Sequence, residues 1–462
     1  MLVLAAVVLP IVAGLLTFAL PREDRGIARV AGTLVATATL AMIAFSQGQE
    51  WSFRWLSRPF TAAFHFGATP VSFWLALLTA LCTACAIAAV RLPRARAFVA
   101  LMLLLEGSML GLFLARDLLL FALFWDLMLV PVFFGLGGWS ARPATAWRYL
   151  IYNFSAGLLL LLATAAYGVL TGSTDVIGET HAPLIGGWAP WIFGGFAVAF
   201  LVKTPVWPLH TWMPPTYADL PSPMVAVVSA VQSKAGLYGF IAIALTLMPH
   251  YVREYANVLI VLGAISLIYG AAAALVQNDA KRIVAYSSLS HLGLIAIAIA
   301  VGNQLALQGA IVYLIAHGLF SAALFLLLGY VEEREGTRSM MRLGGLGRSN
   351  PKLAGAFCIA CLAALGLPGL AGFAGELVIL IGVYQSGNLW PAIVGLVAIV
   401  VASAYFLRLY QGIMNGPEVA DIPVRHDLTW VEGLTVAPLL LALVLIGVQP
   451  HAILAAFAAV TR

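Results

Sequence analysis

Two of the four lysines in this 462-residue chain, Lys203 and Lys234, lie inside apolar runs, while the other twenty basic residues are arginine. Lys203 sits in WIFGGFAVAFLVKTPVWPLHTWMP and Lys234 in MVAVVSAVQSKAGLYGFIAIAL. An ammonium at bilayer depth costs at least ~2.5–3.5 kcal/mol on insertion scales, so it is rarely found there without a polar partner or a wet cavity. Lysine can release its proton when desolvated; arginine cannot. Two carboxylates occupy similar settings, Asp126 in LLLFALFWDLMLVPVFF and Glu376 in LGLPGLAGFAGELVIL. Two imidazoles do as well, His291 in SSLSHLGLIAIAI and His317 in YLIAHGLFSAALF. Groups of these three types, placed within reach of one another, titrate as a coupled set. The chemistry they suit is a charge-driven proton relay, in which moving a carboxylate toward or away from a lysine switches the lysine's proton affinity.

Each residue also has a plainer reading. Asp126 and Glu376 could be structural ion pairs. Lys203 lies past the middle of its span and could snorkel to the inner surface. Lys234 is too deep for that. Arg408, near a span end, is expected to snorkel. His291 and His317 could simply hydrogen-bond within a bundle, although imidazole titrates where a relay needs it. His210, in PLHTWMP, is expected to cap or orient the loop after its span.

The elements that must carry these groups are membrane spans. The chain is 62% hydrophobic and 9% charged, with a mean hydropathy of +1.00, which places residues 1–462 in one polytopic membrane domain. Fourteen apolar runs recur: roughly 1–20, 27–46, 70–90, 97–115, 117–137, 147–171, 188–212, 223–247, 255–277, 283–301, 305–330, 352–385, 390–414 and 430–457. The seventh contains Pro205 and Pro208, and the twelfth is overlong and cut by LGLPGLAGFAG. The expectation is an all-α membrane protein of about fourteen spans with broken helices seven and twelve. Each break should border a hydrated pocket, because exposed backbone at membrane depth is tolerated only where it lines protein or water.

The polar residues repeat five spans apart. Spans five, seven and eight carry Asp126, Lys203 and Lys234; spans ten, twelve and thirteen carry His291, Glu376 and Arg408. Interrupted helices at matching places mark transporter repeats. The expected repeats are 97–247 and 255–414, inverted because five is odd. The first run lacks a basic leading segment and is not read as a secretory signal. Sixteen basic residues fall in loops assigned inside, among them Arg22, Arg25, Arg96, Arg342 and Arg425. Five fall outside, including Arg54, Arg58 and Arg462, so both termini are expected outside. The pI of 9.1 therefore reports topology and not nucleic-acid binding.

The four cysteines form two CxxC pairs, Cys82/Cys85 and Cys358/Cys361. Zinc or an iron–sulfur cluster is the sharp reading. Both pairs lie in apolar helical runs, where cysteine behaves as a small hydrophobe, and no metal site is expected. The chain shows no haem motif and no dinucleotide fingerprint.

The motif VKTPVWPLHTWMPPTYADLPSPMVAVVSAVQSKAGLYGF resembles the signature of the antiporter-like subunits of respiratory complex I and of multisubunit sodium/proton antiporters. LFWDLMLVPVFF, DAKRIVAYSSLSHLGLI, AHGLFSAALFLLLGY and TRSMMRLGGLGRSNPKLAG resemble it too, and the likeness runs from about 100 to 415. LGLPGLAGFAGELVIL looks like the chain M type, with glutamate in span twelve where sister chains carry lysine. The resemblance implies a proton-translocating subunit of a bacterial NADH–quinone oxidoreductase in the inner (cytoplasmic) membrane. NADH, flavin (FMN), iron–sulfur clusters and quinone would sit on partner subunits, with none in this chain. Chain L- and chain N-like subunits would be its neighbours in the lipid bilayer, and no lateral helix of the chain L kind is expected.

It also implies roles for the six residues. Asp126 stands where the family has its span-five glutamate, one methylene shorter, and Lys203 is the lysine that pairs with it, directly or through one water. Lys234 is the central lysine, His291 and His317 lie on the connecting axis, and Glu376 is the terminal carboxylate. The alternatives are a subunit of a sodium/proton antiporter or of a hydrogenase- or ferredoxin-linked relative, and a structural scaffold that pumps nothing.

Overall fold

A run of about twenty apolar residues is long enough, at 1.5 Å per residue, to cross the hydrocarbon core of a bilayer. The computed structural model describes residues 1–19, 25–177, 184–416 and 426–458. Arg22, Arg425 and Arg462 of the loop charges lie outside the described residues. Eleven helices among the described residues are long and apolar enough to span a membrane, from Gly26–Ala44 to Trp430–Val448. Four shorter apolar helices, Leu2–Thr17, Ala189–Lys203, Pro351–Ala364 and Ala371–Gln385, complete the expected order; the last two are the halves of span twelve.

The helix starts are written locally. Asp117 caps span five by accepting from the Leu119 and Leu120 N–H groups, and Asp279 caps span ten through Lys281 and Arg282. Thr69 with Ser72 and Thr429 with Glu432 form reciprocal capping boxes at spans three and fourteen. Glycines let helices approach closely. A Cβ on Gly14 would stand 3.0 Å from the Ala100 carbonyl, and one on Gly107 would stand 2.4 Å from Ile11, so spans one and four meet on small residues.

The chain divides into two compact units, Met1–Pro205 with Val231–Val258, and Val206–Ala230 with Leu259–Arg462. Asp126, Lys203 and Lys234 belong to the first. His291, His317 and Glu376 belong to the second.

The breaks fall where proline and glycine put them. Ala189–Lys203 ends before Pro205, and a short helix, Met213–Asp219, follows the interruption. The Trp207 N–H freed there donates to Ser266 Oγ at 2.8 Å. In span twelve Gly366 and Gly369 adopt φ of 79° and 92°, a left-handed turn that separates Pro351–Ala364 from Ala371–Gln385.

Two departures from the sequence reading concern secondary structure. Between spans two and three stands an antiparallel hairpin, Glu50–Leu56 with Ala62–Gly67, in which Trp51 pairs Phe66 and Phe53 pairs Phe64. The alternation Trp51, Phe53, Trp55 is its period-two signal. Span eight is also not the unbroken helix expected around Lys234. Two π-helical stretches, Val228–Gln232 and Phe240–Ala244, flank Lys234–Gly239. Such bulges insert an extra residue per turn and are common at functional sites.

The hairpin is tied down by charge. His65 Nδ1 lies 2.6 Å from Asp175 Oδ1 and its Nε2 lies 3.7 Å from Glu50 Oε2, while Arg116 Nη1 holds Glu50 Oε1 at 3.2 Å. The hydrogen bond to Asp175 raises the His65 pKa above its ordinary value near 6.5, against desolvation and Arg116. A raised pKa means that the pairing stabilises fully below the ordinary histidine range and is lost as pH rises through the raised value. Hydrogen exchange of the Ala62–Gly67 amides, corrected for intrinsic rates, should quicken as pH rises across that range. His65→Gln should flatten the dependence, and an unchanged pH profile in His65→Gln would remove His65 as its source.

Candidate functional site

Ionisable groups of the first unit

Span five is irregular at its centre. Pro131 has no N–H to give the preceding turn, and the helix re-forms as Leu118–Leu127 and Leu129–Trp139. Asp126 lies at this irregularity. Its carboxylate packs against span six at Gly157, where a Cβ would stand 1.8 Å from Oδ1. Only a glycine leaves that space open.

Lys203 is fully buried at the end of Ala189–Lys203, which rules out the snorkelling reading. Of the two expected pairings with Asp126, direct or through one water, the direct contact is not made. Lys203 Nζ and Asp126 Oδ1 are both buried without a protein hydrogen-bond partner, as is Thr204 Oγ1. The ammonium instead lies 5.1 Å from the centroid of Trp125, the residue beside Asp126, in a cation–π arrangement. The Asp126 carboxylate settles on Gly157 and leaves the adjacent aromatic face to the lysine.

Lys234 is fully buried on span eight. Two residues on, Gly236 brings that helix against the end of Ala189–Lys203; a Cβ there would stand 2.2 Å from the Phe200 carbonyl and 2.3 Å from Thr204 Oγ1. The π-helical stretch before Lys234 presents Gln232, whose Nε2 donates to Tyr149 Oη at 2.6 Å and to the Met128 carbonyl at 3.4 Å. Span eight is thereby joined by side-chain polarity to the irregular centre of span five.

Ionisable groups of the second unit

Here the sequence-predicted residues converge. The rings of His291 and His317 are 5.7 Å apart, and His291 Nδ1 lies 4.0 Å from Glu376 Oε1. All three are buried. Tyr313 Oη donates to Glu376 Oε1 at 2.5 Å and also hydrogen-bonds His291 Nδ1. Tyr405 Oη lies 3.5 Å from His291 Nε2.

Glycines set this geometry. Cβ atoms on Gly309 and Gly382 would fall 2.6 Å from the Ile379 nitrogen and 2.3 Å from the Ala306 nitrogen, so span eleven and Ala371–Gln385 pack nearly backbone to backbone. Gly375 meets Tyr313 directly, its Cβ position being 2.6 Å from the Tyr313 Cβ. Gly366 in the break leaves room for the other Glu376 oxygen, 2.2 Å from where its Cβ would be.

Arg408 and His210 make helix-end and loop contacts. Arg408 binds the Leu275 carbonyl, the Gln277 carbonyl at 3.0 Å and Asn278 Oδ1 at 2.9 Å, closing the end of span nine. His210 stacks edge-on to Tyr269 with ring centroids 5.1 Å apart, and its carbonyl accepts the Met213 N–H that starts the short helix. Cys82, Cys85 and Cys361 are buried, Cys358 is half-buried, and all four are free thiols. No group of three or more metal-ligating side chains occurs among the described residues.

Relationship to known proteins

A family model described as "NADH:quinone oxidoreductase/Mrp antiporter, TM" matches residues 115–402. The chain is 36% identical to NADH-quinone oxidoreductase subunit M of Pseudomonas aeruginosa, over 75% of this chain and 71% of that one. It is 32% identical to subunit M of Rhodobacter capsulatus, over 77% and 73%. The chain belongs to the NADH:quinone oxidoreductase/Mrp antiporter transmembrane family. Among solved structures it resembles a chain of respiratory complex I from Thermus thermophilus with bound NADH, at 31% identity and a TM-score of 0.90, covering 100% of this chain and 99% of that one. A chain of the Mrp complex from Dietzia sp. DQ12-45-1b shares the fold at 22% identity and a TM-score of 0.86, covering 99% and 96%.

All six predicted residues fall inside the stretch matched by the antiporter family model. Glu106 falls before it. It is fully buried in span four, with neither carboxylate oxygen bonded to protein. The sequence reading missed it, although an acid inside LMLLLEGSMLGL carries the same signal that singled out Asp126. Lys281, which precedes the apolar run 283–301, stands in the first turn of span ten. It is buried, with Nζ 2.6 Å from Glu332 Oε2. Tyr313, Tyr405 and Gln232 had no comparable signal, because tyrosine and glutamine occur in spans for many reasons.

Proposed function

We propose that this chain is the proton-translocating, chain M-type membrane-arm subunit of a bacterial NADH–quinone oxidoreductase. Protons would move along Asp126, Lys203, Lys234, His317, His291 and Glu376, held by two inverted five-helix repeats over 97–247 and 255–414. NADH, FMN, iron–sulfur clusters and quinone would be held by partner subunits, and chain L- and chain N-like subunits would flank it. It would lie in the inner membrane with both termini outside.

The observation that carries this reading is the set of buried ionisable side chains. Burying any one of them isolated in a membrane is costly, and inside the family-matched segment Lys203, Lys234, His291, His317 and Glu376 are buried and Asp126 is half-buried with its Oδ1 enclosed. Each proton moved against 100 mV requires ~2.3 kcal/mol. A series of titrating groups divides that work into small steps, and the free energy would come from redox chemistry on the partners.

The test is purification of the complex through this chain, with its partner chains identified by mass spectrometry and its flavin and iron measured. Flavin, iron and NADH-driven quinone reduction are expected. A complex lacking all three, yet exchanging sodium for protons, would instead favour the antiporter reading. Reporter fusions at Arg96 and Arg342 should read cytoplasmic, and a periplasmic signal at either would overturn the topology.

A further inference from the structure

We infer that the Tyr313 hydroxyl is the obligatory proton bridge between His291 and Glu376, an inference that rests on the relay reading above. The two ends of this step do not touch in hydrogen-bonding geometry, with His291 Nδ1 4.0 Å from Glu376 Oε1. The Tyr313 oxygen bonds both, donating to Glu376 Oε1 at 2.5 Å and leaving a lone pair for His291 Nδ1–H. Tyr405 fixes the far side of the imidazole, since its oxygen lies 3.5 Å from Nε2. All four side chains are buried.

The step balances without any other reactant. Imidazolium His291 gives its Nδ1 proton to the Tyr313 oxygen as the Tyr313 hydroxyl proton passes to Glu376 Oε1. One N–H and one O–H bond break, and two O–H bonds form. Tyrosine is neutral before and after, His291 is left neutral with its proton on Nε2, and the carboxylate becomes a carboxylic acid. The new hydroxyl hydrogen then points at His291. It must rotate back toward Glu376 before a second proton can pass, and Glu376 must first release the one it holds. The bridge therefore passes one proton per rotation and blocks leakage between turns.

The aromatic ring is held independently of the hydroxyl. It stands edge-on to His291 with centroids 5.7 Å apart, and its backbone packs on Gly375. Tyr313→Phe keeps these contacts and removes only the bridge.

In the purified complex reconstituted in vesicles, Tyr313→Phe should lower the proton-to-electron ratio and slow coupled turnover about tenfold or more, with partner chains retained. The infrared carbonyl band assigned to Glu376 by its loss in Glu376→Gln should shift in Tyr313→Phe, which a merely packing role would not cause. Should Tyr313→Phe fail to assemble, 3,5-difluorotyrosine at position 313 keeps the shape and acidifies the hydroxyl. It should then shift the pH profile of pumping. Lys234→Ala, measured alongside, separates the two claims. Wild-type pumping in Tyr313→Phe, or an unshifted profile in the fluorinated protein, while Lys234→Ala fails would overturn the bridge alone. Wild-type pumping in Lys234→Ala would overturn the relay itself.

Discussion

Lys234→Arg should abolish proton pumping almost as completely as Lys234→Ala, while leaving the complex assembled. Lys234 is fully buried on a helix that is π-helical on both sides of it, so its ammonium does not reach a surface by snorkelling. A relay group must exist in both protonation states during each cycle. Arginine keeps its proton under all physiological conditions. The substitution preserves the charge and removes the ability to titrate, at the expense of a larger, planar head group whose effect on packing is read from assembly. A fixed structural cation would behave in the opposite way, with arginine rescuing function and alanine costing assembly. The measurement is protons translocated per electron, with assembly assessed separately from the retained partner chains. Wild-type pumping in Lys234→Arg would leave Lys234 as a fixed charge.

Gly157→Ala should be nearly as damaging as Asp126→Asn, although it alters no titrating group. In an ordinary helix interior alanine would be favoured over glycine by ~0.5–1 kcal/mol. At Gly157 the added methyl would overlap Asp126 Oδ1, whose distance from that position is 1.8 Å. The carboxylate must leave its cradle or the two spans must part, at an overpacking cost of about 1–3 kcal/mol. Proton yield should fall severalfold or more in either case. Asp126→Glu, by contrast, keeps the carboxylate and installs the residue that the family resemblance implies here, and should be tolerated. Normal pumping in Gly157→Ala would show that the observed carboxylate position is not the one used.

The order of the spans, the two breaks and the six ionisable positions were legible because each depends on one-dimensional information. Apolar length, proline, and charge in an apolar run can be counted along the chain. What was not legible depends on neighbours distant in sequence. That Asp126 would rest on Gly157, and Lys203 on Trp125, follows from which faces of spans five, six and seven meet. The Tyr313 bridge depends on Gly309, Gly375 and Gly382 letting two helices pack almost backbone to backbone. The π-helical turns around Lys234 are invisible to a hydropathy window, which registers only that VVSAVQSKAGLYGFIAIA is apolar. Glu106 is a different case. Its signal was present, but no charge in 255–277, five spans further on, repeats it.

Under the proposed function, protons move through buried titrating groups of this chain while electrons stay on partner subunits. Glu376→Gln tests it most directly, because glutamine keeps the shape and the hydrogen bond from Tyr313 while removing the site that takes up and releases the proton. The measurement is the proton-to-electron ratio of the assembled complex in sealed vesicles, beside the rate of quinone reduction with the membrane potential collapsed. The expected result is a lowered ratio in a complex that keeps its flavin, iron and partner chains. An unchanged ratio at wild-type turnover would contradict it.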